Sequence, residues 1–313
     1  MKKILCLGDA CADIVIPYGA AKSGILAFPE FSCGGTAANT ASGLGRLGAD
    51  CTFLGKAGDD FFGRAMKNAL QCDGVNTDYF VLDQNLSSVL ILVVIDEKNE
   101  RFPFLMPREN PSYLQLFDED MPDRILEQVS FVHSTGLMLF EEPAAGAVCR
   151  FLEKCAAHGI KVSLDINLRI ETLKQNRDHL LQALDAVDYL FGSGMDEFVP
   201  LTGIHDPLAA ARSLVTEKRT VICRMGERGS VAMDWNGEFQ CEAFKVKVAD
   251  TLGAGDAFNS GFLWALAKGE SFQFANRAGC AAAAINISKP GARNCPGEQE
   301  LLSFLISSET KTK

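Results

Sequence analysis

From Val129 onward the chain alternates short apolar runs with longer stretches in which apolar residues recur at helical spacing. The runs are Val129-Ser-Phe-Val-His133, Ile160-Lys-Val-Ser-Leu-Asp165, Val187-Asp-Tyr-Leu-Phe191 and Thr220-Val-Ile-Cys223. Apolar runs separated by amphipathic segments predict βαβ units, hence a mostly parallel sheet with helices on both faces. Such sheets take ligands beyond the carboxyl ends of their strands. Asp165, Asn167, Glu197 and Arg224 all fall near those ends.

Two early segments break the rhythm. Ala12-Asp-Ile-Val-Ile-Pro17 is one; the other runs from Ser88 to Phe104 and reads as a hairpin turning at Glu97-Lys-Asn-Glu100. Periodicity leaves open whether they build a separate small sheet or extend the main one. No linker, repeat or low-complexity tract interrupts residues 1–313, which predicts a single domain.

Composition narrows the function. With 313 residues, 47% of them hydrophobic and 22% charged, the chain can bury a large core. A formal charge of −10 without a Lys/Arg cluster argues against a nucleic-acid partner. No apolar run is long enough to span a bilayer and Met1-Lys-Lys leads straight into the strand-like Ile4-Leu-Cys-Leu7, so the expectation is a cytoplasmic protein without a membrane partner. The 11 cysteines include no C-x-x-C pair, so they read as reduced core residues. The four histidines lack metal spacing, and His133 reads as a strand-end residue with a local hydrogen bond. Phe117-Asp-Glu-Asp120 reads as a solvated helix start.

The chemistry concentrates in Asp250-Thr-Leu-Gly-Ala-Gly-Asp256, which runs into an apolar helical segment. A glycine turn feeding a helix N-terminus aims free N–H groups and the positive end of the helix dipole at one spot. Gly253, Ala254 and Gly255 thus form an anion cradle, with Asp256 at its rim as a proton acceptor. Gly43-Leu-Gly-Arg-Leu-Gly48 fits the dinucleotide pattern, but a helical stretch precedes it where a strand is required, so NAD binding is not expected. No Walker sequence is present.

A second glycine motif, Cys33-Gly-Gly-Thr-Ala-Ala-Asn39, followed by Gly55-Lys-Ala-Gly-Asp-Asp60, completes a pair of signatures. Together with the Asp250–Asp256 turn they resemble the PfkB/ribokinase family of carbohydrate kinases, in order and spacing and over nearly the whole chain. The resemblance implies an α/β, ribokinase-like three-layer sandwich with a mostly parallel central sheet and a small β-sheet lid, built from about residues 12–18 and 88–106. It also implies ATP and Mg²⁺ as cofactors, a homodimer formed through the lid, and in some members K⁺.

Within that resemblance Asp256 matches the catalytic base, and Asp13, Gly34, Gly35 and Asn39 match the sugar-binding positions, with Asp9 the competitor of Asp13. Asp165-Ile-Asn-Leu-Arg169 resembles a segment of the fructokinase and 2-keto-3-deoxygluconate kinase branches, which makes Asn167 and Arg169 substrate candidates. Arg108 resembles a post-lid arginine of fructokinases, although Glu109 is inserted after it. Glu197 matches the family's Mg²⁺-serving glutamate, but Gly194 stands where the family has Asn, with Ser193 or Asp196 as substitutes.

Arg224, Gly226 and Gly229 resemble the nucleotide-binding turn, and Ala281-Ala-Ala-Ala-Ile-Asn286 and Ser288-Lys-Pro-Gly-Ala-Arg-Asn-Cys295 match the region that lines the adenine pocket. By position, Asp250, Leu252, Asn286, Lys289, Gly291 and Cys295 are the candidate K⁺ ligands. The expected reaction is phosphorylation of a hydroxymethyl group on a small sugar, fructose-like first, with 2-keto-3-deoxygluconate, ribose or a nucleoside as alternatives. A nucleoside would need an aromatic base pocket, for which Phe102 and Phe104 are candidates; a phosphosugar would need cations such as Arg101 and Arg108. A non-catalytic sugar-binding protein on the same fold is the reading from another class.

Overall fold

The computed structural model describes residues 2–16, 30–95, 101–107, 109–168 and 177–309. Largely buried runs, with more exposed strands at the two edges, form a nine-stranded sheet: β1 (Ile4–Leu7), β4 (Cys51–Gly58), β5 (Asn76–Asp83), β8 (Phe131–Thr135), β9 (Lys161–Asp165), β10 (Tyr189–Ser193), β11 (Thr220–Arg224), β12 (Ser230–Met233) and β13 (Glu238–Cys241). Its order is β13-β12-β11-β10-β9-β8-β1-β4-β5; the pairs from β11 through β5 are parallel, and β12 and β13 add an antiparallel edge. The doubly covered, mostly parallel sheet is the one expected from the alternation of runs.

A separate four-stranded sheet, ordered β3-β2-β6-β7, comes from β2 (Cys11–Ile16), β3 (Glu30–Gly34), β6 (Leu90–Ile95) and β7 (Arg101–Met106). β3 has no counterpart among the predicted strands, because Glu30-Phe-Ser-Cys-Gly34 offers only two apolar side chains. Its strand character comes from antiparallel pairing with β2, where Asp13 faces Ser32. Residues 17–18 and 96–100 of the anticipated lid lie outside the described residues.

The helices are α1 (Thr36–Arg46), α2 (Phe61–Cys72), α3 (Ala144–Ala157), α4 (Asp178–Leu184), α5 (Val199–Thr202), α6 (Pro207–Arg212), α7 (Ala254–Lys268), α8 (Phe272–Ile287) and α9 (Glu298–Glu309). Alternate residues of one strand serve opposite layers. Ile4 and Cys6 pack with α1, α7 and α8, whereas Leu5 and Leu7 join the layer that includes α3.

On the first face Phe191 meets Phe262 edge-on at 5.2 Å, anchoring α7 to the sheet centre. A buried aromatic contributes roughly 1.5–3 kcal/mol, and Phe258, Phe262 and Trp264 all lie buried in α7. Gly261 lets α7 and α8 touch, since a Cβ there would lie 2.6 Å from Ala278 O. This packing fixes where the N-terminus of α7 points.

The Gly43–Gly48 segment closes α1 and turns, with no strand before it, so the dinucleotide fingerprint lacks its context. Two local readings need correction. His133 sits in mid-strand, wholly buried, with Nδ1 2.8 Å from Ser163 Oγ, and burial pushes its pKa down to about 4. Asp120 is not solvated: it pairs with Lys56 at 2.6 Å, and both side chains are nearly buried.

Candidate active site

Parallel pairing aligns the carboxyl ends of β1, β8, β9, β10 and β11, because Leu7 is level with Ser134, Thr135 with Asp165, and Ser193 with Arg224. The chain then delivers Asp9, Asp165, Asn167, Glu197 and Arg224 to one edge of the sheet. A cavity of about 350 Å³ opens there, lined by Thr36, Asp165, Asn167, Arg224 and residues 250–256.

The glycine turn forms the cavity floor. Gly253 adopts φ 72° as the residue before α7, and a Cβ there would lie 2.2 Å from Ala292 O. Only glycine meets both demands without strain. The first helical bond runs from Ala257 N–H to Gly253 O, so the Gly255 and Asp256 N–H groups precede the helical ladder. Behind them lies a cation: a Cβ on Gly255 would be 2.8 Å from Arg224 Nη1.

Arg224 is held in bidentate fashion by Asp165, with Nη2 to Oδ1 at 2.6 Å and Nη1 to Oδ2 at 2.8 Å. Asn259, one turn into α7, accepts from Nη1 at 3.2 Å and donates to Asp165 Oδ2 at 2.6 Å. Glu197 Oε2 lies 3.6 Å from Arg224 and accepts from Ser193 N–H. Burial alone would lower the Arg224 pKa, but Asp165 and Glu197 outweigh it and keep the group a cation. Burial raises Glu197, and neighbouring Asp165 adds to that.

Asp256 occupies the third position of α7 and accepts from Asn39 Nδ2 at 2.8 Å. Burial pushes its pKa up to about 7, with further upward pressure from Asp165 and Asp9, while the Asn39 bond and Arg224 oppose it. A carboxyl titrating near neutral pH is suited to taking a proton from a hydroxyl.

The small-sheet residues meet at the N-terminus of α1. Asp9 accepts from the Thr36 and Ala37 N–H groups at 2.8 and 3.1 Å, so it is committed to the helix end. Asp13 is half-buried, accepts from the Cys11 thiol at 3.7 Å and feels the Arg293 charge. Gly34 lies against it, since a Cβ there would sit 2.5 Å from Asp13 Oδ2. Gly35, at φ 97°, leaves space that Asp9 O and Ala10 Cα would otherwise contest. Asn167, with φ 37°, donates to Thr36 Oγ1 at 2.7 Å.

Arg108 and Arg169 lie outside the described residues. Gly226 and Gly229, at φ 58° and 83°, form the turn between β11 and β12, beyond the cavity lining. Of the candidate K⁺ ligands, Asp250, Leu252, Asn286 and Gly291 come together: Asn286 Nδ2 donates to Leu252 O at 2.9 Å, and Gly291 N–H to Asp250 Oδ2 at 3.2 Å. Lys289 instead pairs with Glu300, and the Cys295 thiol packs toward Gly43 in α1. Among the described residues no three His, Cys, Asp or Glu side chains converge as a metal cage.

Four residues of this site escaped the sequence reading: Thr36, Asp165 as the holder of Arg224, Asn259 and Arg293. Asn259 had a usable signal, lying three residues after Asp256 on one helix face. Arg293 had almost none. It reaches in from the loop after α8, with Nε donating to Asn39 Oδ1 at 2.8 Å and Nη2 to Gly34 O at 3.2 Å. Its Nη1 is buried and has no hydrogen-bond partner among the described residues.

A covered, mostly parallel sheet, a small second sheet beside its carboxyl edge and a glycine cradle rimmed by a half-buried acid are the architecture of a small-molecule phosphotransferase. The chain belongs to the pfkB family of carbohydrate kinases: the family's model matches residues 1–299. The 5-dehydro-2-deoxygluconokinase of Listeria monocytogenes is 27% identical over 315 residues, covering 98% of this chain and 96% of that one. The crystal structure of fructokinase with bound ATP from Xylella fastidiosa matches with a TM-score of 0.85 at 24% identity, over 99% of this chain and 100% of its own. Aminoimidazole riboside kinase from Salmonella enterica matches at 0.81 and 24%, over 97% and 99%. These structural likenesses establish the ribokinase-like fold. No helix among the described residues is long and apolar enough to cross a membrane.

Proposed function

We propose that this carbohydrate kinase transfers a phosphoryl group from ATP to a hydroxymethyl group of a small sugar, with Asp256 as the base. The observation that carries the reading is Asp256 itself, a carboxyl with a pKa of about 7 held beside an anion cradle. Asp256 takes the hydroxyl proton as the oxygen attacks, and the Gly255 and Asp256 N–H groups with Arg224 face the charge on the moving phosphoryl group.

Mg²⁺, when bound, neutralises phosphate charge and helps orient the transfer. Glu197 fits a role in holding it alongside the phosphates, since both of its described contacts fall on Oε2. K⁺ has oxygens to meet there: Leu252 O and Gly291 O accept from Asn286 and Asn294 and each keeps a second lone pair, with Asp250 beside them.

The small sheet supplies Asp13, and the loop at Gly34–Gly35 with Asn39 completes the acceptor side. We infer that this sheet serves as a lid whose closure excludes water. Its exposed Phe104 and Met106 offer an apolar face to a second copy of the chain.

One observation favours an acidic acceptor over fructose. A buried guanidinium nitrogen without a partner is costly, and Arg293 Nη1, beside Gly34 and Asn39, is such a group. A carboxylate on the acceptor would satisfy it, and the relative from Listeria monocytogenes is named for a keto-deoxy sugar acid.

The test is ADP release with MgATP across fructose, ribose, adenosine, 2-keto-3-deoxygluconate, 5-dehydro-2-deoxygluconate and fructose phosphates, with D256N as control. Turnover on a sugar, lost in D256N, is the expected result. Turnover that survives in D256N would remove Asp256 as the base, and silence across the panel with ATP still bound would favour a binding protein.

A further inference from the structure

A guanidinium has five N–H donors and no acceptor, whereas an asparagine amide has one end of each kind. Arg293 Nε meets the Asn39 side chain at 2.8 Å, so the end of the amide facing Arg293 has to be Oδ1. The other end, the donor Nδ2, is thereby turned to Asp256 Oδ2 at 2.8 Å. Arg293 is fixed in turn by Nη2, which donates to Gly34 O. Donation therefore runs outward from Arg293, to Gly34 O on one side and through Asn39 to Asp256 on the other, set by a side chain that can only donate.

We propose that Arg293 is a positioning residue for the base: by donating to Asn39 Oδ1 it decides which way that amide faces, and so obliges Asn39 to donate to Asp256. The role rests on the reading of Asp256 as base. Without the guanidinium, Asn39 is free to turn Oδ1 toward Asp256, an orientation that suits the protonated carboxyl and discourages the ionised one. The other charged groups acting on Asp256 are Asp9, after β1; Asp165, on β9; and Arg224, on β11. Asp165 and Arg224 hold each other, whereas Asp9, held by α1 N–H groups, also feels the Arg293 charge; N39A keeps that charge and so isolates the effect of the amide.

The test is a titration. In R293M, carboxyl ¹³C NMR of the ligand-free protein, with D256N identifying the signal, should show Asp256 ionising about one unit higher than in wild type. The acidic limb of kcat/KM should move with it, so that activity falls roughly tenfold below the limb and largely recovers above it. R293K, which also only donates, should return most of the shift. N39A should move the limb on its own, and R293M should add little to N39A. Should R293M fail to fold, R293Q takes its place with the same expectation, because its shorter amide can turn either way. An unmoved Asp256 titration in a folded variant, or shifts that add in the double variant, would overturn the proposal. The NMR titration needs neither ATP nor acceptor, so it separates failure of this role from failure of the assigned reaction.

Discussion

Asn39 Nδ2 lies 2.8 Å from Asp256 Oδ2, joining the first turn of α1 to the first turn of α7 across 217 positions of sequence. Gly35 immediately precedes the first of these helices and Gly253 the second. The bond holds Asp256 where the two glycine turns meet, the place the proposed transfer needs its proton acceptor.

Asp256 should therefore trade stability for activity. Its folded pKa of about 7 exceeds its ordinary 3.8, so folding favours the protonated form. Between those values the folded state binds more protons than the unfolded one, and stability is lost as pH rises through the folded pKa. D256N should cost about 10²–10⁴-fold in kcat. It should also be more stable than wild type at pH 8 by on the order of 1–3 kcal/mol, with the gap closing below pH 4. Thermal melts across that range check it, and a variant less stable than wild type at pH 8 would show that Asp256 is not held at a cost.

Arg224 and Asp165 form a buried pair in which either partner alone is a liability. R224M should lower stability by about 3–5 kcal/mol, because Asp165 and Glu197 lose their cation. It should also cost roughly 10²–10³-fold in kcat if the guanidinium faces the moving phosphoryl group. In the R224M/D165L double variant much of the stability should return while the activity does not. Denaturant melts paired with initial rates separate the two effects, and activity returning with stability would make the pair purely structural.

Gly253 and Gly203 share φ values near 70° but differ in surroundings. A Cβ on Gly253 meets Ala292 O at 2.2 Å, whereas one on Gly203 meets nothing within 4 Å. G203A should cost about 1–2 kcal/mol of stability from the left-handed backbone alone and leave kcat unchanged. G253A should cost more than that and lower kcat at least tenfold, since the cradle must shift to clear the carbonyl. Equal losses of stability with full activity in both variants would show that the turn's shape is not what the reaction uses.

Much of the architecture was legible from local pattern. Apolar runs such as Thr220-Val-Ile-Cys223 predicted β11, and the glycine turn before Ala257 predicted the start of α7, because both signals lie in consecutive residues. The preference for Asp13 over Asp9 rested on motif position, and geometry adds a reason: Asp9 is taken by the N–H groups of α1. β3 was missed because its strand character comes from its partner β2 rather than from its own alternation. Asp120 was misread because an acidic run looks solvated until Lys56, 64 positions earlier by residue number, is packed against it.

What the sequence by itself determined was the main-sheet strands from Val129 onward, the family signatures and the two glycine turns, each of which follows from spacing within a few residues. Only the tertiary structure decided that Arg293 reaches Asn39 across 254 positions, that Asn39 then donates to Asp256, and that Asp165 rather than solvent holds Arg224. The reason is physical: backbone conformation is governed by neighbours along the chain, whereas the direction of a hydrogen bond and the pKa of a buried carboxyl are set by whichever distant groups the packing of α7 and α8 on the sheet brings within 3 Å.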